Sequence, residues 1–273
     1  MAHDYLTSLS GDALAKLSAI YADLAYASGL AVTREEGRTL PIPPVLTPTV
    51  VDGAELSRRT HVARAVSTAV FKVARAICGS DDREILLGGM APFERKVIER
   101  TWASISAIPN IRVDFFVGMD EQVRVLEVNA TIPAMQGYSD IAAQSFIRAV
   151  GHARALPERT LAELSAKNGS NTQALLAALM SAYRARGGDK AYPSIALCAR
   201  RNDAQLTELN YIARAITNLG TPAFVIAPDE LSLDGDTMLA SGRRIDLLYR
   251  HIFARRIEES SPLGRIVLEP ERF

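Results

Sequence analysis

Apolar residues recur every three or four positions over much of the chain, which predicts a largely helical protein. One predicted helix begins after Ser10 and ends near Gly29. The longest runs from about residue 54 to Ile77 and ends at Gly79. Its apolar stripe consists of Val62, Val66, Val70, Val73 and Ile77. Further helices are predicted from Pro92, from Ser139-Asp140, near Pro157, and over about 170–186 and 203–219.

Two runs of alternating residues interrupt this helical pattern and predict a β-hairpin. They cover 111–117 and 123–129, and both are rich in β-branched and aromatic residues. The residues between them, 118–122, contain glycine and acidic side chains that are typical of a turn. One face of the hairpin is apolar apart from Arg124, and we expect that face to pack on a core.

The other face of the predicted hairpin brings four polar side chains together. If the turn is a two-residue loop centred on Asp120-Glu121, Asp114 lies directly opposite Glu127, and Arg112 directly opposite Asn129. A one-residue bulge would break this register and scatter the four side chains.

Two carboxylates that face each other across a hairpin repel, so this pairing needs a physical reason. A Mg²⁺ ion between Asp114 and Glu127 would reverse the sign of the interaction, and the Asn129 amide oxygen could be a third protein ligand. The planar guanidinium of Arg112 suits phosphate oxygens. The patch is therefore either a metal–phosphate platform or a solvated hairpin face on which Arg112 offsets the acids.

The C-terminal third of the chain predicts a small parallel sheet. A buried-type strand at 194–199, a helix and a second strand at 223–226 form a βαβ unit, and a third strand covers 245–250. The carboxyl ends of such strands face the ligand crevice, which places Arg200 and Arg250 where an anion could bind. No glycine-rich fingerprint follows the first strand, which argues against a dinucleotide or P-loop site.

The loop that follows the hairpin is a second candidate for anion binding. Residues 130–138 form an irregular loop that leads into the N-terminus of the helix predicted at Ser139-Asp140. Because helix N-termini attract anions, Thr131 and Ser139 could contact a substrate there. Alternatively, both hydroxyls only satisfy backbone groups.

Composition narrows the class of protein further. The 273 residues include 31 basic and 31 acidic side chains, so the formal net charge is zero and no nucleic-acid or membrane-binding surface is expected. Cys78 and Cys198 are far apart and show no disulfide or zinc spacing. We expect a cytosolic, cytoplasmic protein, because neither a signal peptide nor a transmembrane stretch is recognisable.

The combination of these motifs resembles the circularly permuted ATP-grasp proteins, the group that includes the synthetase part of glutathionylspermidine synthase. The resemblance covers roughly residues 110–250. It rests on Arg112-Val113-Asp114, on Glu127-Val128-Asn129 before a proline-containing loop, on the βαβ unit with Thr207-Glu208 in its helix, and on the strand that ends Tyr249-Arg250. It implies an α/β, ATP-grasp-like (glutathione synthetase-like) fold with a helical N-terminal part, a metal-binding β-hairpin and a small parallel βαβ unit.

The resemblance also implies an ATP- and Mg²⁺-dependent carboxylate–amine ligase that works through an acyl phosphate. By analogy, Asp114, Glu127 and Asn129 match positions that hold Mg²⁺, and Arg112 matches an arginine near the transferred phosphate. Arg250 would touch a phosphate or the acyl substrate, which makes Arg112 and Arg250 the expected catalytic residues. Arg112, Thr131 and Ser139 are the expected ATP contacts, and a small-molecule carboxylate and an amine are the expected partners.

One departure from the family pattern concerns the nucleotide-gripping lysines, which in that family follow the Tyr-Arg strand. Here no lysine follows Lys190. We therefore expect a helical and hairpin part (1–190), a βαβ part (191–250) and the start of a segment (251–273) that is truncated. For these residues alone we expect weak ATP binding and little or no ligase turnover. The alternative is a non-catalytic relative that binds a peptide-like or anionic small ligand.

Overall fold

The structure is a computed structural model that describes residues 2–34, 37–103 and 110–273. Its helices are α1 (Ala2–Thr7), α2 (Gly11–Ala27), α3 (Gly53–Cys78), α4 (Glu84–Leu87), α5 (Pro92–Thr101), α6 (Gln136–Ala153), α7 (Glu158–Asn168), α8 (Asn171–Ala185), α9 (Leu206–Asn218) and α10 (Pro262–Leu268). Its strands are β1 (Ala31–Thr33), β2 (Thr39–Pro41), β3 (Arg112–Val117), β4 (Val123–Asn129), β5 (Ile195–Cys198), β6 (Ala223–Ile226), β7 (Leu231–Asp234), β8 (Thr237–Ala240), β9 (Arg243–Ile245) and β10 (Leu247–Arg250).

The chain divides into two compact units, each assembled from three separate segments. Unit 1 consists of Met1–Val50, Ala134–Ser181 and Arg201–Val225, and unit 2 consists of Val51–Pro133, Ala182–Arg200 and Ile226–Phe273. The division into domains at residues 190 and 250 stays a prediction. Within the described residues, no helix is both long and apolar enough to span a membrane.

Unit 1 has a core formed mainly by α2 and α6. Leu17 and Tyr21 of α2 and Ile141 of α6 are buried there, and the Tyr21 and Phe146 rings meet edge to face at 5.8 Å. Ser10 caps α2 as predicted, since its Oγ accepts a hydrogen bond from the Ala13 N–H. The segment that follows α2 supplies β1 and β2, which pair antiparallel with each other.

Unit 2 contains the predicted hairpin of β3 and β4, a small antiparallel sheet with the order β7-β8-β9, and the parallel pair β5–β10. Ile226, the last residue of β6, accepts a hydrogen bond from the Ala199 N–H just after β5. The predicted strand at 245–250 was wrong as a single element. It divides at Asp246, because Ile245 belongs to β9 and Leu247 begins β10.

Asp246 accounts for this division. Its carboxylate accepts hydrogen bonds from Lys190 Nζ at 2.7 Å, from the Ser194 N–H at 2.9 Å and from Arg244 Nε at 3.2 Å. Its own N–H donates to the Ser194 carbonyl. These hydrogen bonds fix Asp246 beside the start of β5, so that β9 ends before it and β10 begins after it.

Candidate functional site

The hairpin pairs the four predicted residues, but not through the turn that we assumed. Arg112 lies opposite Asn129, and Asp114 lies opposite Glu127, as predicted. Nearer the turn, however, Phe115 pairs with Val125 rather than with Leu126, so the register shifts by one residue between Asp114 and Phe115. Leu126 is the extra residue of a β-bulge.

The bulge compensates for a turn that is one residue shorter than assumed, since the assumed register pairs Val117 with Arg124. Val117 pairs with Val123, which leaves the five residues 118–122 in the loop, where Glu121 has a positive φ of 58°. Without the bulge, this loop would place Glu127 opposite Val113, on the apolar face. The expectation that a bulge would scatter the patch was therefore wrong, because here the bulge is what assembles it.

The sequence contains a signal for the bulge. In β4 the apolar positions are Val123 and Val125 on one side of the bulge and Val128 on the other, so the alternation changes phase at Leu126. The same phase change corrects the position of Arg124, which we had placed on the apolar face. Arg124 pairs with Phe116 on the other face and forms an ion pair with Asp120 in the turn at 2.6 Å.

Hydrogen bonds join the four polar side chains into one patch, which we call the hairpin patch (Arg112, Asp114, Glu127 and Asn129). Arg112 donates from Nε to Asp114 Oδ1 at 2.8 Å and from Nη2 to Asp114 Oδ2 at 3.0 Å, and its Nη2 lies 3.7 Å from Glu127 Oε1. Asn129 donates from Nδ2 to Glu127 Oε1 at 2.8 Å. The amide is thus oriented with its nitrogen towards Glu127, and its carbonyl oxygen remains an acceptor.

Two acidic side chains, Asp114 and Glu127, share one basic side chain, Arg112, in the patch. The Arg112 hydrogen bonds hold the pKa of Asp114 below its ordinary value. The side chains of Arg112, Asp114 and Glu127 are 31%, 36% and 59% exposed, so the patch is open to solvent. Two carboxylates and an amide oxygen are donors that Mg²⁺ prefers, and the donor set therefore fits this ion.

Three contacts support the hairpin and the residue before it from neighbouring elements of unit 2. In α3, Arg58 donates to the Glu121 carbonyl in the turn, and the Arg59 guanidinium lies 5.7 Å from the centre of the Phe115 ring. At the other end, Asn110 Nδ2 donates to the Tyr249 hydroxyl of β10 at 3.1 Å. Tyr249 was not among the predicted site residues, although it is the β10 side chain that contacts the base of the hairpin.

Arg250 lies at the carboxyl end of β10, directly beside Cys198 at the end of β5. Its Nη1 donates to the Ile252 carbonyl, and burial lowers the pKa of its guanidinium. Burial likewise raises the pKa of the Cys198 thiol to about 12. No structural observation ties Arg250 to the hairpin patch, so its catalytic role stays a prediction.

Thr131 and Ser139 belong to different units and are both exposed. Their contact with a substrate stays a prediction, but the helix predicted to begin at Ser139-Asp140 was placed wrongly. It is α6, which begins at Gln136 after Met135 in a left-handed conformation, with a φ of 90°. Asp140 lies inside α6, and its carboxylate accepts from the Asn171 and Thr172 N–H groups at the start of α8.

The N-terminus of α6 does hold an anion, but the anion belongs to the chain itself. Glu208 of α9 is only 1% exposed, and its Oε1 accepts hydrogen bonds from the Met135 N–H at 2.7 Å and the Gly137 N–H at 3.0 Å. The sequence argument for an anion at this helix end was sound in its physics. It missed that an acidic residue more than 70 positions later in the chain would supply the anion.

Within the described ranges, no group of three or more His, Cys, Asp or Glu side chains could hold a metal ion. The hairpin patch has two such acids and an amide.

Comparison with known proteins gives a fold and no family. No family model matches the sequence, and no curated protein matches it. Among solved structures, the chain is similar to the apo form of a glutathione synthetase-like effector from Globodera pallida, with a TM-score of 0.59 and 16% sequence identity. The match covers 96% of this chain and 60% of that chain, so the chain spans less than two thirds of the effector's length.

This likeness shows a mixed α/β protein with a glutathione synthetase-like fold, which confirms the predicted fold class at that level. The circular permutation and the ligand set stay predictions.

Proposed function

We propose that the hairpin patch binds Mg²⁺ together with the phosphates of ATP, and that the protein acts as an ATP-grasp-like carboxylate–amine ligase. The observation that carries this proposal is the direct opposition of Asp114 and Glu127 on an exposed hairpin. A regular ladder on this five-residue turn would separate the two acids, and a bulge brings them together. The glutathione synthetase-like fold supports the same relation to ATP-grasp enzymes.

Each residue of the patch has a role that follows from its chemistry. Asp114, Glu127 and the Asn129 carbonyl oxygen would hold the ion, which would neutralise negative charge on the phosphoryl oxygens. Arg112 would bind a phosphate through its planar fork. Positioning and charge neutralisation are the main requirements of phosphoryl transfer, so no protein nucleophile is needed. A carboxylate and an amine are the substrates that this reaction class requires.

A second candidate is a non-catalytic relative that binds an anionic or peptide-like small ligand. The similar solved structure is described as an effector, which favours this reading. If this second function is correct, the patch binds an anion and the protein does not hydrolyse ATP.

The test compares binding with turnover. Thermal unfolding is followed with Mg²⁺–ATP, and phosphate release is measured in the presence of mixed carboxylate and amine substrates. We expect Mg²⁺–ATP to raise the melting temperature of the wild type, and the double variant D114N/E127Q to lose this shift. Asp120→Asn removes an acid of the same hairpin outside the patch and should keep it. Stabilisation with phosphate release supports the ligase, stabilisation without it supports the second candidate, and no stabilisation contradicts the ligase.

A further inference from the structure

A proline-rich segment of unit 1, residues 38–44, carries a sequence pattern that the hairpin patch does not use. It reads Arg-Thr-Leu-Pro-Ile-Pro-Pro, which places an arginine and two prolines at intervals of three residues. Each proline fixes its own φ at about −65°, and each residue before a proline is kept out of the helical region. The residues from Leu40 to Pro44 are therefore held extended by their own sequence, close to a polyproline II helix.

The spacing of the pattern sorts these residues onto separate edges. A polyproline II helix has three residues per turn, so residues three apart share an edge. Arg38, Pro41 and Pro44 share one edge, and Leu40 and Pro43 share a second. Four of the five are exposed, and Pro44 is partly exposed. The segment therefore offers solvent a proline-rich ridge with a cation at its amino end.

The third edge holds the segment on unit 1. Ile42 packs against the core formed by α2 and α6, and its N–H donates to the Leu30 carbonyl at 3.0 Å. The Thr39 hydroxyl lies 3.4 Å from the hydroxyl of Tyr26 in α2. The pairing of β2 with β1 also fixes the backbone at the start of the segment. Because the fold already orders the segment, a partner that binds the two open edges pays less conformational entropy.

Domains of the SH3 type recognise ligands with this distribution of side chains. They bind a polyproline II helix in grooves lined by aromatic side chains, and each groove accepts a residue and the proline that follows it. Leu40-Pro41 and Pro43-Pro44 are two such pairs, and both lie on the open edges. Arg38 lies beyond the first pair, where its planar guanidinium suits a carboxylate of the partner.

We propose that residues 38–44 dock onto an SH3-type domain, with Leu40-Pro41 and Pro43-Pro44 in its aromatic grooves and Arg38 in an acidic pocket beside them. The two side chains that such a ligand turns away from its partner, Thr39 and Ile42, are the ones that contact unit 1. This interaction involves no residue of the hairpin patch, so it is independent of the proposed function.

The experiment adds the unlabelled full chain to the ¹⁵N-labelled SH3 domain of a Src-type tyrosine kinase, which has both the aromatic grooves and the acidic pocket. We expect saturable shifts of the groove and pocket signals in the NMR spectrum, with a Kd in the micromolar range. A peptide of residues 37–46 is titrated in parallel, because it carries the same sequence without the fold.

Four variants of the chain locate the interaction. Arg38→Gln removes the charge that the acidic pocket accepts, and Pro41→Ala removes a ring from the first groove, so each should weaken binding about tenfold. The matched controls are Arg34→Gln and Pro48→Ala, which change exposed residues of the same types just outside the motif. Both controls should bind within twofold of the wild type.

Three results would overturn the proposal. The first is the absence of saturable shifts with the wild-type chain. The second is binding by the peptide alone, because the segment would then be inaccessible in the fold. The third is a loss of less than threefold in Arg38→Gln, because the SH3 domain would then contact another surface. Arg38 precedes β2 and its side chain is exposed, so this variant decides the matter even if Pro41→Ala, within β2, does not fold.

Discussion

Glu208 allows a quantitative test of how unit 1 is held together. Its carboxylate is 1% exposed and accepts two backbone hydrogen bonds at the start of α6, from Met135 and Gly137. Glu208→Ala leaves both N–H groups without this acceptor, and a buried donor without a partner costs about 1–3 kcal/mol. Met135 is exposed and water can reach it more easily, so we expect a total loss of about 2–4 kcal/mol.

Two further variants separate the cap from general effects of substitution. Glu208→Gln keeps an acceptor oxygen but not the charge, and it should cost about 1–2 kcal/mol, since hydrogen bonds to charged groups are the stronger ones. Glu163→Ala makes the same change at an exposed position of α7 in unit 1 and should stay within about 0.5 kcal/mol.

The assay is urea unfolding followed by circular dichroism. Fluorescence of the single tryptophan, Trp102, which lies in unit 2, is recorded in parallel as the signal of that unit. Because Glu208→Ala uncovers a helix N-terminus of the kind that binds anions, sodium formate should stabilise this variant more than sodium chloride at equal ionic strength. If Glu208→Ala is as stable as Glu163→Ala, the carboxylate does not cap α6 and the argument is refuted.

Three other predictions concern buried groups. Gly137→Ala should destabilise unit 1 in urea, although alanine favours helices, because an added Cβ would lie 3.0 Å from Glu208 Cγ and 3.1 Å from Ile212 Cγ1; unchanged stability would contradict that close approach. Iodoacetamide at pH 8 should label one thiol of the native chain, that of Cys78, because burial raises the pKa of Cys198 to about 12; mass spectrometry reports both. Burial acts to raise the pKa of Asp246, but the hydrogen bonds from Lys190 and Ser194 outweigh burial, and the pKa lies below its ordinary value. The ionised Asp246 side chain therefore stabilises the fold above its ordinary pKa, near pH 4, and this stabilisation is lost as pH falls further. Asp246→Asn should cost about 1 kcal/mol at pH 7 and make acid unfolding less steep, and an unchanged acid limb would contradict the assignment.

Local signals in the sequence were sufficient for most helices and for the hairpin. Ser10 and Asp52 each cap the helix that follows them, as their side chains accept from an N–H three residues later. The residue pairs of the patch also came out as predicted, but through two errors that cancelled. The turn between Val117 and its partner is one residue shorter than assumed, and Leu126 adds one residue back.

Contacts between residues far apart in sequence could not be read from local pattern. Asp246 ends a strand because Lys190 and Ser194 bind its carboxylate from 52 or more positions away. Glu208 sets the start of α6 in the same way. The contact of Tyr249 with Asn110 depends on where β10 lies beside the hairpin, which alternation within either segment does not encode.

A crystal structure with Mn²⁺ and a non-hydrolysable ATP analogue would test the assignment of the hairpin patch most directly, because Mn²⁺ replaces Mg²⁺ and scatters anomalously. The account predicts an anomalous peak within about 2.3 Å of oxygens from both Asp114 and Glu127. It also predicts that Arg112 contacts a phosphate of the analogue. A structure in which the analogue and Mn²⁺ bind away from Asp114 and Glu127 would contradict the account.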